Sequence, residues 1–197
     1  YLMNHDKSYI VTLQLGKKTD TGDAEGNIIQ EEKVDISWKD KQALEKIFQS
    51  FVGKQEQVPP IYSAIKVKGK KLYEYARKGE QVEVPVRQIE IYQIKILQIE
   101  ELKKQIVFQV SCSKGTYIRS LCEDMAEKLG TVGYMQELQR IQVGDFRIEQ
   151  AVTIEQLEKD NIPYLSVEKL FEDKEAVSLE KRRLHLFLNG VKLEIRK

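Results

Sequence analysis

Three stretches of the sequence carry side chains whose type and spacing allow chemistry. The first, Lys66 to Lys78, reads KVKGKKLYEYARK: six cations, Lys66, Lys68, Lys70, Lys71, Arg77 and Lys78, stand against Glu74 alone, a local net charge of +5. Tyr62, Tyr73 and Tyr75 are interleaved with them. Lysine and arginine neutralise phosphates and tyrosine rings stack on bases, a combination suited to RNA or single-stranded nucleic acid. The same pattern also describes a solvated charged helix with tyrosines packed beneath it. The second stretch, SKGTYIRS from Ser113 to Ser120, places a glycine between a strand and a helix start. Backbone N–H groups there suit an anion, with Lys114 and Arg119 adding positive charge. Arg119 could equally fix a carboxylate through its two-pronged guanidinium, or simply be exposed on an ordinary turn. The third, KTDTGDAEG from Lys18 to Gly26, holds Asp20, Asp23 and Glu25. It lacks the longer ligand series and closing Glu of a calcium loop, and its Asp and Gly content is that of a turn.

Composition narrows the classes. Charged residues make up 32% of the 197 and hydrophobic residues 41%, enough for a real core beneath a highly charged surface. Thirty-two Lys plus Arg nearly balance 31 Asp plus Glu, so only local clusters can select a charged partner. Cys112 and Cys122 stand far in sequence from His5 and His185, the only histidines, which argues against a structural metal and for two buried free thiols. There is no P-loop, GxGxxG, nucleophile elbow or metal-binding histidine pair. No apolar run approaches the roughly 18 residues of a membrane span. A cytoplasmic monomer without metal or cofactor is expected.

The elements that must hold these residues read as follows. Ser8 to Gly16 alternates Tyr9, Val11, Leu13 and Leu15 against Ile10, Thr12 and Gln14, the period of a strand. Ser37 with Asp40 resembles a capping box ahead of Ala43, Leu44, Ile47, Phe48 and Phe51 at helical spacing. Lys71 to Lys78 suits a short helix closed by Gly79. Arg87 to Ile99 and Lys104 to Ser113 read as an antiparallel strand pair. Ile118, Leu121, Cys122, Met125 and Leu129 form one stripe of a helix ended by Gly130, with Tyr117 and Arg119 at its start. Tyr134 to Phe146 is expected to hold a short helix and a strand, and Thr153 with Gln156 marks a further helix start. Leu184, Leu186 and Leu188, then Asn189-Gly190, then Val191, Leu193 and Ile195 carry a hairpin signal. Short links favour antiparallel pairing, so the class is α+β.

The stretches DKSYIVTLQLGKKTDTGDAEG, VPPIYSAIKVKGKKLYEYARKG, CSKGTYIRSLCEDMAEKLG and ELQRIQVGDF resemble, in order and spacing, the bacterial tRNA pseudouridine-55 synthases of the TruB type, over roughly residues 1–155. The resemblance implies the pseudouridine synthase fold, a mixed and largely antiparallel sheet flanked by helices. It implies isomerisation of a uridine in the T-loop of tRNA, with no metal or cofactor. The target base must leave its stack for the glycosidic bond to be broken and the ring rejoined through carbon. Tyr9 matches the tyrosine that stacks on the flipped uracil and is a candidate proton acceptor. Arg119 matches the arginine that pairs with the catalytic aspartate and can meet RNA phosphate. Tyr117 matches a second pocket tyrosine, and Leu138 the leucine that closes against the base. Residues 60–79 correspond to the loop that grips the T-arm. Tyr62, Lys66, Lys70, Lys71, Tyr73, Arg77, Lys114 and Arg140 are the expected RNA contacts.

One departure shapes the expectation for activity. The family's catalytic aspartate lies in a G-x-L-D-x-x-A-x-G motif upstream of the segment matching Tyr1, and no aspartate here sits in such a motif. Asp20 and Asp23 fall in a family turn and do not match the catalytic position. The chain is therefore expected to be a fragment, incomplete at the N-terminus and inactive alone. Residues 1–178 would be a partial catalytic domain and 179–197 the start of a small C-terminal RNA-binding domain. The competing reading is a non-catalytic module that grips and remodels the T-arm.

Overall fold

The computed structural model describes residues 4–34, 40–159, 164–172 and 174–193. Its elements run β1 (Lys7–Leu15), β2 (Lys17–Thr19), β3 (Ile28–Glu31), α1 (Lys41–Gln49), β4 (Gly53–Gln57), β5 (Lys66–Val67), β6 (Lys70–Lys71), α2 (Leu72–Lys78) and β7 (Arg87–Glu100). They continue with β8 (Gln105–Cys112), α3 (Ile118–Lys128), β9 (Gly133–Val143), β10 (Phe146–Arg147), α4 (Ile154–Leu157) and α5 (Lys181–Leu188). The chain divides into two compact units, Tyr1–Ala151 and Val152–Lys197.

In the first unit a six-stranded sheet has the order β10-β9-β1-β8-β7-β4, and every neighbouring pair is antiparallel. The alternation of β1 works as its pattern requires: Val11, Leu13 and Leu15 are buried on one face. Ile106, Phe108 and Val110 of β8 join them, and α1 and α3 cover that face with Leu44, Phe48, Leu121, Cys122 and Met125. Phe48 meets Phe108 edge to face, ring centroids 5.3 Å apart. The helix α3 lies close on β9: a Cβ at Gly133 would stand 2.6 Å from the Cβ of Ala126 and 2.8 Å from the carbonyl of Gln14. Both cysteines are buried free thiols, and burial pushes the Cys112 thiol up to about 11.

Three local expectations need correction. The cap of α1 is Asp40, whose Oδ1 accepts from the N–H groups of Gln42 at 3.0 Å and Ala43 at 3.3 Å; Ser37 lies outside the described residues. Tyr134 to Phe146 holds no helix: Gly133–Val143 is one strand paired along its length with β1. Its Met, Gln, Glu and Leu residues favour helix in isolation, but pairing with the central strand overrides that preference.

The hairpin expected at Leu184 to Ile195 is also absent. In the second unit Leu184, Leu186 and Leu188 belong to α5, and Ile195 lies outside the described residues. Asn189-Gly190 ends the helix instead of turning a hairpin. The Val191 N–H reaches the Leu186 carbonyl at 3.0 Å and the Gly190 N–H reaches that of Phe187 at 2.9 Å, the paired bonds of a Schellman cap. The same dipeptide serves both turns, so alternating leucines beside it do not separate them. In α4, Thr153 caps with Gln156 as the sequence predicts.

Candidate active site

The residues expected to carry chemistry fall in three places: the start of α3, the sheet face around Tyr9 on β1, and the hairpin and helix of the basic stretch. Tyr117 caps α3 without a side-chain bond of its own. Its backbone is held by the buried Gln57 at the end of β4: the Tyr117 N–H donates to Gln57 Oε1 at 2.8 Å, and Gln57 Nε2 donates to the Tyr117 carbonyl at 3.0 Å. One turn further, Ser120 Oγ donates to the Val58 carbonyl at 2.9 Å. The strand-to-helix junction is thus fastened to the segment that leads into the basic stretch, which fixes the direction of Arg119.

Arg119 reaches three acceptors. Its Nη1 donates to the Thr21 carbonyl and to Asp23 Oδ2, each at 3.1 Å, and its Nη2 donates to the Tyr62 carbonyl at 2.8 Å. The Arg119 and Asp23 side chains are each only 21% exposed. Asp23 is itself held in the turn, accepting at Oδ1 from Thr21 Oγ1 at 2.6 Å and from the Glu25 N–H at 3.2 Å. Thr19 Oγ1 bonds the Asp23 carbonyl at 2.7 Å, and the Met135 N–H bonds the Gly22 carbonyl at 3.0 Å, tying the turn to β9. A planar fork serving a carboxylate and two carbonyls suits arginine and not lysine. Asp23, set aside in the sequence as a turn residue, is therefore the carboxylate that Arg119 holds.

Tyr9 is half-buried at the edge of the core, opposite Val110 on β8 and Arg140 on β9. Burial raises its phenol above the ordinary tyrosine value, and nearby Cys112 adds to the rise. The Arg140 guanidinium, by charge and hydrogen bonding, opposes the rise but does not cancel it. The ring is thus a neutral phenol at pH 7. Val11 pairs with Leu138, so Leu138 and Arg140 share the sheet face of Tyr9. Leu138 is 43% exposed, an apolar side chain left open beside the tyrosine.

The basic stretch folds into a small hairpin, β5 to β6, running directly into α2. It is anchored by the Leu72 and Tyr73 N–H groups to the carbonyls of Ile65 and Ser63 at 2.8 and 3.1 Å. Leu72 and Tyr75 are buried beneath it, and Tyr75 Oη bonds the Val67 carbonyl at 3.0 Å. Tyr75 is therefore a tyrosine packed beneath the charged helix, as the second reading of this stretch has it. Tyr73 lies between two cations, with Lys71 Nζ 5.4 Å and the Arg77 guanidinium 5.3 Å from its ring centre, while Lys70 stands 5.5 Å from Tyr75. Lys66 is exposed opposite Lys71. Lys114 turns to Asn4, donating to its Oδ1 at 3.0 Å. The structure thus joins Tyr62 to Arg119 through a backbone carbonyl, Tyr9 to Arg140, and Lys71 to Tyr73 and Arg77.

Comparison with known proteins fits this geometry. The model of the TruB family pseudouridylate synthase N-terminal domain matches residues 1–118, and that of the tRNA pseudouridylate synthase B C-terminal domain matches residues 119–179. The chain belongs to the TruB family of pseudouridylate synthases. It is 49% identical over 158 residues to the tRNA pseudouridine synthase B of Psychrobacter arcticus, covering 80% of this chain and 40% of the relative. It is 41% identical over 196 residues to that of Clostridium tetani, covering 98% of this chain and 66% of the relative. The chain thus spans between about two fifths and two thirds of the length of these TruB relatives. Among solved structures, a Cbf5-Nop10-Gar1 complex has a chain that aligns with a TM-score of 0.54 at 24% identity, over 78% of this chain and 36% of that one. This is the pseudouridine synthase fold expected from the sequence, here with its described sheet wholly antiparallel.

Proposed function

We propose that this chain is a major part of the catalytic domain of a tRNA pseudouridine synthase acting on a T-loop uridine. The observation that carries the reading is the Arg119 fork, which connects the helix bearing Tyr117, the Asp23 turn and the Tyr62 backbone at the root of the basic segment. In this reading the uridine leaves its stack and its base enters the space bounded by Tyr9, Tyr117 and Leu138. The bond from the sugar to N1 breaks, the ring turns, and a bond to C5 forms; the C5 hydrogen leaves as a proton and N1 gains one. Tyr9, kept as a neutral phenol, offers a flat face to the uracil and a site through which that proton can pass. Arg119 holds carboxylate charge in a partly buried setting. Residues 60–79 grip the T-arm, with Lys66, Lys70, Lys71, Arg77, Lys114 and Arg140 meeting phosphate.

The RNA-gripping half of the proposal is tested by titrating a T-arm stem-loop with the complete protein over a range of salt. Lys70, Lys71 and Arg77 replaced together by alanine are expected to lower affinity about tenfold or more at low salt and to reduce the slope of log K against log salt by about 2–3. An unchanged slope would return this segment to a solvated charged face.

A further inference from the structure

A second cationic feature lies beside the Tyr117 junction, outside the basic segment. Strand β7 begins at Arg87, directly paired with Gln57, the residue whose amide brackets Tyr117. The loop after β8 is stapled back onto the same strand: the Ser113 N–H donates to the Glu90 carbonyl at 2.8 Å, and Ser113 Oγ accepts from the Glu90 N–H at 2.9 Å. This folding brings Lys114 and Gly115 against the first residues of β7. Between them opens a cleft of about 490 Å3 lined by Asn4, Arg87, Gln88, Ile89, Lys114 and Gly115.

The chemistry of this cleft is one-sided. It carries two cations and no carboxylate. Among the described residues neither Arg87 nor Lys114 forms an ion pair, and the hydrogen bond of Lys114 is to the neutral Asn4 amide. Both side chains are exposed. Gly115 has φ of +82°, and a Cβ built there would meet only the Arg87 Nη1, at 3.9 Å. The guanidinium therefore lies over bare backbone, with room for a tetrahedral anion to approach from the open side. Two like charges lining one cleft that holds no carboxylate make its field positive, and a phosphate placed there gains charge-assisted hydrogen bonds from both.

We infer that this cleft is a phosphate subsite for the RNA strand, with Arg87 a backbone-contacting residue that acts beside Lys114. The inference rests on the RNA reading of the site given above and adds Arg87, at the start of β7, to the phosphate contacts proposed there. Because phosphate is common to every nucleotide, the subsite positions the strand and does not read its sequence.

The test is a salt titration of T-arm stem-loop binding by the complete protein, with Arg87→Gln and Lys114→Gln made singly and together. Each substitution is expected to lower the magnitude of the salt slope by about 0.7–0.9 and to weaken binding several-fold, alike for stem-loops of different sequence. Arg87→Glu is expected to weaken it further. Thermal unfolding midpoints should not move, since both side chains are exposed. If the unsubstituted protein binds with a steep slope and the double variant keeps that slope, the subsite is refuted while the RNA reading stands. If the unsubstituted protein shows no salt-dependent binding, the RNA reading itself falls, and the subsite with it.

Discussion

Replacing Arg119 with alanine in the complete protein is expected to lower turnover on tRNA by a factor of about 10²–10³, the cost typical of losing a preorganised charge-stabilising donor. The guanidinium is bonded at once to the Thr21 carbonyl, the Asp23 carboxylate and the Tyr62 carbonyl. Its removal frees the turn from the root of the basic segment and leaves the Asp23 carboxylate, among the described residues, with Thr21 Oγ1 and the Glu25 N–H as its hydrogen-bond partners. Some stability is lost as well. The pair is neither fully exposed nor fully buried, which places its loss between the two regimes, about 1–3 kcal/mol. Arg119→Lys is expected to rescue little, because an ammonium cannot reproduce a planar fork spanning three acceptors. Initial rates measured together with thermal unfolding separate the two effects. Near-normal turnover in a folded Arg119→Ala variant would remove this residue from the mechanism.

The second large effect concerns the platform on which Tyr9 stands. Phe108→Ala is expected to destabilise the protein by about 3–5 kcal/mol, from lost burial and the cavity left behind. Phe108 is fully buried, pairs across the sheet with Val11 two residues beyond Tyr9, and receives the Phe48 ring of α1 edge-on. Phe108→Leu should recover much of the loss, since a large apolar side chain still fills most of the volume. Chemical denaturation of the complete protein, followed by two probes to check that their transitions coincide, gives the comparison. A cost below about 1 kcal/mol for the alanine variant would be inconsistent with a close-packed site at Phe108.

Much of the platform is legible in the sequence, and the parts that are not share a physical cause. Strand β1, the β7–β8 pair and α3 follow from apolar periodicity because the apolar side chains of each collect on the face that meets the core. Strand β9 is legible only in part: a strand is expected within Tyr134 to Phe146, but beside a short helix, because the full length of Gly133–Val143 owes its form to a partner more than 100 positions away. The region of α5 misled because Asn-Gly supplies both hairpin turns and helix ends.

The candidate site divides in the same way. Arg119 stands out as a charge at a strand-to-helix junction, but its carboxylate lies 96 positions earlier in a stretch whose Thr, Gly and Asp content reads as an ordinary turn. Gln57 leaves no signal at all: an uncharged polar residue at a strand end becomes visible only when both ends of its amide are seen on the Tyr117 backbone. Arg87 was missed because an isolated arginine at a strand start has no charged neighbours in sequence, and Lys114 reaches it only through the fold.

The most direct test of the account is position-resolved detection of pseudouridine in unmodified tRNA after incubation with the complete protein. The account predicts pseudouridine at a T-loop uridine, together with salt-dependent binding of the tRNA. Tight tRNA binding by the complete protein with no pseudouridine formed would contradict it and favour a module that grips the T-arm without chemistry.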